Sequence, residues 1–463
     1  MYRRGRRLLY SYNFRFNFYR VFRNSFILIF FSFIFFQYLW VRLFSKNHIP
    51  SPNATRLHQN LPLTINLAPF SVCHPKELHL KNITLQYHER YPDKQKQVCF
   101  LVEHLDGGPW WSYVTHEFAE ILTKLRQIGV KSNIIYRPFP KPVFVNRRMN
   151  LIKLFLNACD MDENLSKENQ MPIIALLWDI SRPLWHHLRE QVEDLLNRTR
   201  IRLVAFVDDL HFTNRGMWLT REYLFQSIAS EILSTYPYLF DNYYINISST
   251  KITWLPHAAS TLSYRSINKS AENVLFVSGA NLVEWYPCRA RAFELCDARQ
   301  DLVSCLQHPG YGDTMKKASS FYYGGERYFS YMRKYVFGLG TCQSVQYAIG
   351  KLFELPANGL ALVTTNDLVD ILKRLHLYPN EHFLTIDCSS EKDLTNELVR
   401  IQNISKDIIF QIRTNSQKVI HERHLTKHRA ALLHVRLLSQ ALIASSASDN
   451  ERMQWEQWGR SCH

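Results

Sequence analysis

Two groups of residues in this 463-residue chain have types and spacings suited to chemistry. The first is QYAIGKLFELPANGLALV, Gln346 to Val363, where Lys351 and Glu354 stand three residues apart and so share a face if the segment is helical. The pattern places Glu354 late in a helix that Gly359 breaks just before an apolar strand. A carboxylate there offers two acceptor oxygens to a vicinal diol. Gln346, eight positions earlier, can hydrogen-bond a hydroxyl but carries no charge. Upstream, Ser278 and Gly279 end the apolar run of LFVSGA, and a glycine there lets an anion approach backbone amides. Arg327, Arg333 and Lys334 in GGERYFSYMRKY are further cationic candidates, although the same residues on an amphipathic helix also read as solvated surface.

The second group is LVAFVDDLHF, with Asp208, Asp209 and His211 at the end of an expected strand. A carboxylate and an imidazole two or three residues apart could deprotonate or orient an acceptor hydroxyl. Equally, Asp208 or Asp209 could cap the next helix while His211 packs. His257, in the turn-like WLPHAAST, is a weaker candidate for the same role. No metal is expected. The pair Asp160 and Asp162 follows a helical pattern, LIKLFLNAC, rather than a strand, and the nine Cys form no CxxC.

These residues must be positioned by two series of alternating strands and helices. The first, 97–255, opens with a strand Val98–Val102 stopping at Gly107-Gly108 and a helix Tyr113–Gly129, the beginning of a parallel α/β unit. Strand-length runs follow at Ser132–Tyr136, Ile173–Trp178 and Leu203–Val207, with a helix Leu184–Leu196 between the last two. The second series, 262–438, begins with a strand Val274–Val277 and a helix Tyr286–Cys296. Helices are then expected over Arg327–Phe337 and Ser344–Leu355, a strand over Leu360–Val363, a helix over Asp367–Leu375 and a strand over His382–Asp387. Two such Rossmann-like domains would face a cleft between their strand C-termini, where open α/β sheets bind ligands.

Lys351, Glu354, Ala357 and Gly359 form a K-x-x-E-x-x-A-x-G segment that resembles the CgeB-like (spore protein type) branch of the group-one glycosyltransferases. The resemblance continues through NEHFLTIDCSSEKDLTNEL into RHLTKHRAALL, Arg423–Leu433, and more weakly back to Val274 and to His308–Tyr311. It implies a GT-B fold whose C-terminal domain holds a nucleotide-sugar donor and whose N-terminal domain shapes the site for a glycan, protein or lipid acceptor. Glu354 matches the family residue that bonds the donor ribose, and Lys351 matches its lysine. Charge on the departing diphosphate would be met by Lys351, Arg327 and the Ser278-Gly279 turn. Gln346 stands where retaining relatives carry a first Glu, so retention or inversion is left open. A non-catalytic descendant that binds a glycan or partner is the alternative. Gln346 supports it and the Lys351–Glu354 pair counts against it.

The ends of the chain set its expected location. Residues 1–46 hold nine Lys/Arg and no acid, so the net charge of +16 is concentrated at the N-terminus, and the rest carries 47 basic against 40 acidic residues. That distribution, with no zinc-finger spacing or aromatic RNA-binding signature, excludes a nucleic-acid partner. Phe26–Val41 is an uncharged apolar run, roughly 25 Å long at ~1.5 Å per residue, and so a membrane helix at the short end. Seven Arg precede it, and Arg42 and Lys46 follow, which leaves a cytosolic tail (1–25), a signal anchor (26–43) and a lumenal body in the Golgi or ER. A Pro- and Asn-rich stem (44–96) and a loose tail (439–463) flank the domains. Seven N-x-[S/T] sequons, at Asn53, Asn82, Asn164, Asn197, Asn246, Asn268 and Asn403, all lie beyond the anchor, as do the nine Cys. No cofactor is expected beyond the donor as substrate.

Overall fold

The computed structural model describes residues 99–103, helical positions between 117 and 127, 132–136, 151–158, positions within 162–167, 173–178, 189–208, 221–236, 247, 252–307, 325–342 and 346–433. The expected anchor at 26–43, the stem and the C-terminal tail lie outside the described residues. Among the described residues, no helix is long and apolar enough to cross a membrane.

Six strands form the first sheet: β1 (Cys99–Glu103), β2 (Ser132–Tyr136), β3 (Ile173–Trp178), β4 (Ile201–Val207), β5 (Glu231–Ser234) and β6 (Ile252–Trp254). They run in the order β2-β1-β3-β4-β5-β6, and every pairing is parallel. The second sheet, β7 (Glu272–Gly279), β8 (Val303–Gln307), β9 (Tyr335–Leu339), β10 (Ala361–Thr365) and β11 (Phe383–Ile386), has the order β11-β10-β9-β7-β8 and is also wholly parallel. Numbered within its own domain, each sheet places its first strand between its second and third. The direction of winding therefore reverses between β1 and β3, and again between β7 and β9. Such reversals open a crevice beyond the strand carboxyl ends.

Helices α1 (Leu151–Ala158) and α2 (Arg189–Arg198) belong to the first domain. The second carries α3 (Pro287–Leu295), α4 (Gly325–Met332), α5 (Lys351–Ala357), α6 (Val369–Arg374), α7 (Glu391–Gln402), α8 (Lys406–Arg423) and α9 (Thr426–Leu433). Successive residues of the second sheet bury on opposite faces, as the two-residue period of a strand demands. Leu275, Val277, Phe337, Leu339, Ala361 and Val363 pack in one apolar cluster with α3, α7 and α8. Phe276, Leu360 and Leu362 join the other, which also takes residues of the first sheet. Burial on both faces explains why these strands read as continuous apolar runs.

The central strand β9 was not expected. The helical pattern read over Arg327–Phe337 is split by a turn at Arg333-Lys334, with α4 ending at Met332 and β9 beginning at Tyr335. A short apolar run does not distinguish a buried strand from a helix by periodicity. The expected helix Ser344–Leu355 likewise begins only at Lys351, because Gln346 adopts φ +44° and residues 346–349 are not helical. Glu354 therefore lies in the first turn of α5 and not late in a helix. Gly338 and Gly340 let α5 approach β9 closely. A Cβ on Gly338 would stand 2.6 Å from Leu355 Cδ2, and one on Gly340 would stand 2.8 Å from Leu352 Cδ2. Strands β5, β6 and β8 were also missed, being short and without clean alternation.

Candidate functional site at the strand carboxyl ends

In the second domain the crevice between β7 and β9 is walled by α3, α4 and α5. Ser278 Oγ and Tyr328 OH are 2.7 Å apart, and Lys351 Nζ donates to Tyr328 OH at 2.9 Å. An ammonium can only donate, so the Tyr328 hydroxyl accepts from Lys351 and keeps its own proton for Ser278. Gly279 has φ +110°, and a Cβ there would come within 3.0 Å of both Arg289 Nη1 and Lys351 Cε. Glycine is required at this point because the backbone is left-handed and two basic side chains cross it.

Arg289, in the first turns of α3, is 3% exposed. Its Nη1 donates to Ala280 O at 3.3 Å, its Nη2 donates to Thr341 O at 3.1 Å, and its Cζ lies 3.9 Å from the Tyr286 ring centre. The Nε and the neighbouring Thr341 Oγ1 are buried without a hydrogen-bond partner. No carboxylate among the described residues pairs with this guanidinium. A buried cation compensated only by carbonyls and a ring is costly, and an anion in the crevice would lower that cost. Sequence reading missed Arg289. The available signal was an Arg two residues beyond a helix-starting Pro, after a strand ending in Ser-Gly.

Glu354 is half-buried on the same turn of α5 as Lys351. Burial raises its pKa above the ordinary carboxylate range. Lys351 opposes the rise, Glu117 adds to it, and His257 opposes it. Gln346 is half-buried and its N–H donates to Cys342 O at 2.9 Å. The adjacent Tyr347 stacks on Tyr236 of the first domain with ring centres 4.1 Å apart. Arg327 is exposed and is not brought into the crevice, since α4 turns Tyr328 inward instead.

At the carboxyl edge of the first sheet, Asp208 follows β4 and is 1% exposed, whereas Asp209 and His211 lie outside the described residues. Asp208 Oδ1 lies 3.6 Å from Nε2 of the His257 imidazole. The same Oδ1 accepts from Thr235 Oγ1 at 2.8 Å. On the other side, His257 Nδ1 is 2.9 Å from Glu117 Oε2. Burial alone would push the imidazole pKa down, but Glu117 and then Asp208 outweigh it and hold the pKa well above the ordinary value. With Glu117 hydrogen-bonded at Nδ1 and the Asp208 carboxylate 3.6 Å from Nε2, the imidazole is held toward its charged form. The three residues form a fixed charge group, and neither Asp208 nor His257 is a free base.

This group holds the chain where it passes from the first sheet to the second. Glu117 Oε1 accepts from Ala258 N at 2.8 Å and Glu120 Oε1 accepts from Thr261 N at 3.0 Å. From the other side, Arg429 of α9 donates to Pro256 O at 2.8 Å and to His257 O at 2.9 Å. Ala259 N donates to His424 O, and Thr426 N donates to Ala259 O. Arg429 Nη2 also lies 3.1 Å from His424 Nδ1, and His424 Nε2 lies 2.8 Å from Leu375 O. A carbonyl only accepts and a guanidinium only donates, so His424 is neutral with its proton on Nε2. Burial and then the Arg429 charge depress its pKa well below normal. Glu117 and Glu120 carry no sequence signal, since Glu on an amphipathic helix is ordinarily solvated.

Among the described residues, no group of three or more His, Cys, Asp or Glu could hold a metal ion. Among the described residues two disulfides are present, Cys288–Cys388 and Cys296–Cys305, and the Cys342 side chain is buried.

No family model matches the chain. No curated protein sequence matches it either. Among solved structures it is similar to a glycosyltransferase from Rickettsia africae, with TM-score 0.48 and 9% identity over 74% of this chain and 98% of that one. HepE from Anabaena in complex with UDP and glucose gives TM-score 0.49 and 12% identity over 74% of this chain and 99% of that one. The N-terminal domain of trehalose-6-phosphate phosphatase from Candida albicans gives TM-score 0.44 and 11% identity over 76% and 97%. Likeness at this level fixes neither family nor activity.

Proposed function

We propose that this chain is a GT-B-type, CgeB-like glycosyltransferase that moves a sugar from a nucleotide donor to an acceptor hydroxyl. The observation that carries the reading is the β7–β9 crevice. A buried Arg289 without a carboxylate partner, Lys351 and the left-handed Gly279 converge at the switch point, with Glu354 on the adjacent turn. A diphosphate there would be met by two cations and by the first turn of α3, and Glu354 would accept from the ribose hydroxyls. In the transfer, the bond from the sugar carbon to the diphosphate oxygen breaks and a bond to the acceptor oxygen forms. The electron pair of the broken bond goes to the diphosphate, where Arg289 and Lys351 stabilise it. The acceptor hydroxyl surrenders its proton. Asp208 is already engaged by Thr235 and His257, so the base falls to Asp209 or His211.

The reading includes a type II membrane anchor at Phe26–Val41 and a lumenal body, supported by the Arg imbalance around that run. The two disulfides suit an oxidising compartment, and the sequon residues Asn164, Asn197 and Asn403 are exposed. Protease digestion of sealed microsomes tests this, and a C-terminus cleaved from outside would reverse the orientation. For activity, the full chain is screened for hydrolysis of a panel of nucleotide sugars with and without chelator. Turnover that persists in chelator is expected. Hydrolysis of none of them, together with no nucleotide binding, would favour the non-catalytic binding protein that Gln346 keeps open.

A further inference from the structure

Helix α3 holds Arg289 at the crevice, yet little of its own packing explains why it stays there. The buried residues on it are Cys288, Arg289, Ala290, Ala292 and Leu295. Of these only Leu295 removes a large apolar side chain from water, Phe293 adds a partly buried one, and two alanines contribute little. Nine residues are too few for a helix that is stable on its own. Burying Arg289 without a carboxylate works against the docked position, because charge is being taken out of water.

The two disulfides supply what packing does not. Cys288, beside Arg289 in the sequence, is bonded to Cys388 just beyond β11, with Cα atoms 5.2 Å apart. Cys296, directly after the last residue of α3, is bonded to Cys305 on β8, with Cα atoms 6.0 Å apart. Both separations fall within the Cα–Cα range of disulfides. One end of α3 is thus fastened to the segment that follows the edge strand β11 and the other to the opposite edge strand β8. Arg291 Nη1 adds a hydrogen bond to Cys388 O.

We propose that Cys288–Cys388 and Cys296–Cys305 are positioning elements of the nucleotide site, holding Arg289 in the β7–β9 crevice so that affinity for a nucleoside diphosphate depends on their being closed. The inference rests on the donor site proposed above. UDP is titrated calorimetrically into the full chain, oxidised and after reduction by dithiothreitol, and into Arg289→Ala in both states. Reduction is expected to weaken UDP binding by about tenfold, the loss of one charge-assisted contact. Arg289→Ala should weaken it similarly, and reduction should then add nothing, because both perturbations remove the same contact. If reduction unfolds the chain, the double variant Cys296→Ala, Cys305→Ala opens only one bridge and replaces it. A general structural role would lower the melting temperature but leave the two effects on affinity additive, which would overturn the proposal. So would UDP affinity indifferent to reduction. Failure of the oxidised wild type to bind UDP or GDP would instead overturn the donor-site reading itself.

Discussion

Glu117→Gln removes one charge from the group at the passage between the domains and keeps nearly everything else. The amide oxygen still accepts from Ala258 N, which lies 2.8 Å from Glu117 Oε1. The bond lost is the 2.9 Å contact to His257 Nδ1, between side chains only 16% and 2% exposed. A hydrogen bond between charged groups contributes about 1.5–3 kcal/mol. The imidazolium would be left with Asp208 at 3.6 Å, too long for a strong bond. Burial would then take the proton off His257, which limits the penalty. A loss of about 2–3 kcal/mol corresponds to about 3–4 °C in melting temperature for a body of this size. The pH dependence is the sharper test. The folded-state pKa of His257 is raised, so its contribution is complete below the unfolded value of about 6.5 and is lost as pH rises through the folded value. Within that window wild-type stability should fall by up to about 1.4 kcal/mol per pH unit. The variant should lose most of that slope, because Asp208 alone then opposes the effect of burial. Thermal melts of both proteins over a pH series decide it. A variant melting within about 1 °C of wild type at neutral pH, or an unchanged slope on the alkaline side, would refute the charge-group assignment.

Glu354→Gln should weaken nucleoside diphosphate binding about tenfold or more by calorimetry, since hydrogen bonds to a charged acceptor contribute roughly 1.5–3 kcal/mol. Stability without ligand should not fall, because burial already disfavours the carboxylate. In wild type the affinity should decline as pH falls through the raised Glu354 pKa, and equal affinities for the two proteins would remove the ribose assignment. Gly279→Ala forces a side chain onto φ +110° and against Arg289 and Lys351, at a cost of about 1–3 kcal/mol. Loss of both melting temperature and UDP affinity is expected, with Gly350→Ala, where a Cβ meets only Glu354 Oε1 at 4.0 Å, as the neutral comparison.

Much of the fold could be read from the chain because parallel strands buried on both faces leave uninterrupted apolar runs. Ser132–Tyr136 and Ile173–Trp178 fall on β2 and β3 without adjustment, and β4, β7, β10 and β11 differ from expectation only at their ends. What failed was local. YVFGL after an amphipathic helix reads as more helix. The left-handed Gln346 has no sequence mark, since only glycine announces such a conformation reliably. Glu354 kept its place beside Lys351 but moved from the end of a helix to its start. Tyr328 faces the crevice and its neighbour Arg327 does not; charge is visible in a sequence and the facing of a helix is not.

The sequence by itself determined the two α/β series, the carboxyl-edge position of Asp208 and of Ser278-Gly279, and the Lys351–Glu354 spacing. Each of these depends on residues close together in the chain, where strand and helix periods act. Only the tertiary structure brought His257 to Asp208, brought Glu117 to the same imidazole from 140 residues away, and set Arg289 over Gly279. Contacts between elements distant in sequence depend on which strand ends the winding of the two sheets makes adjacent, and no local pattern encodes that adjacency.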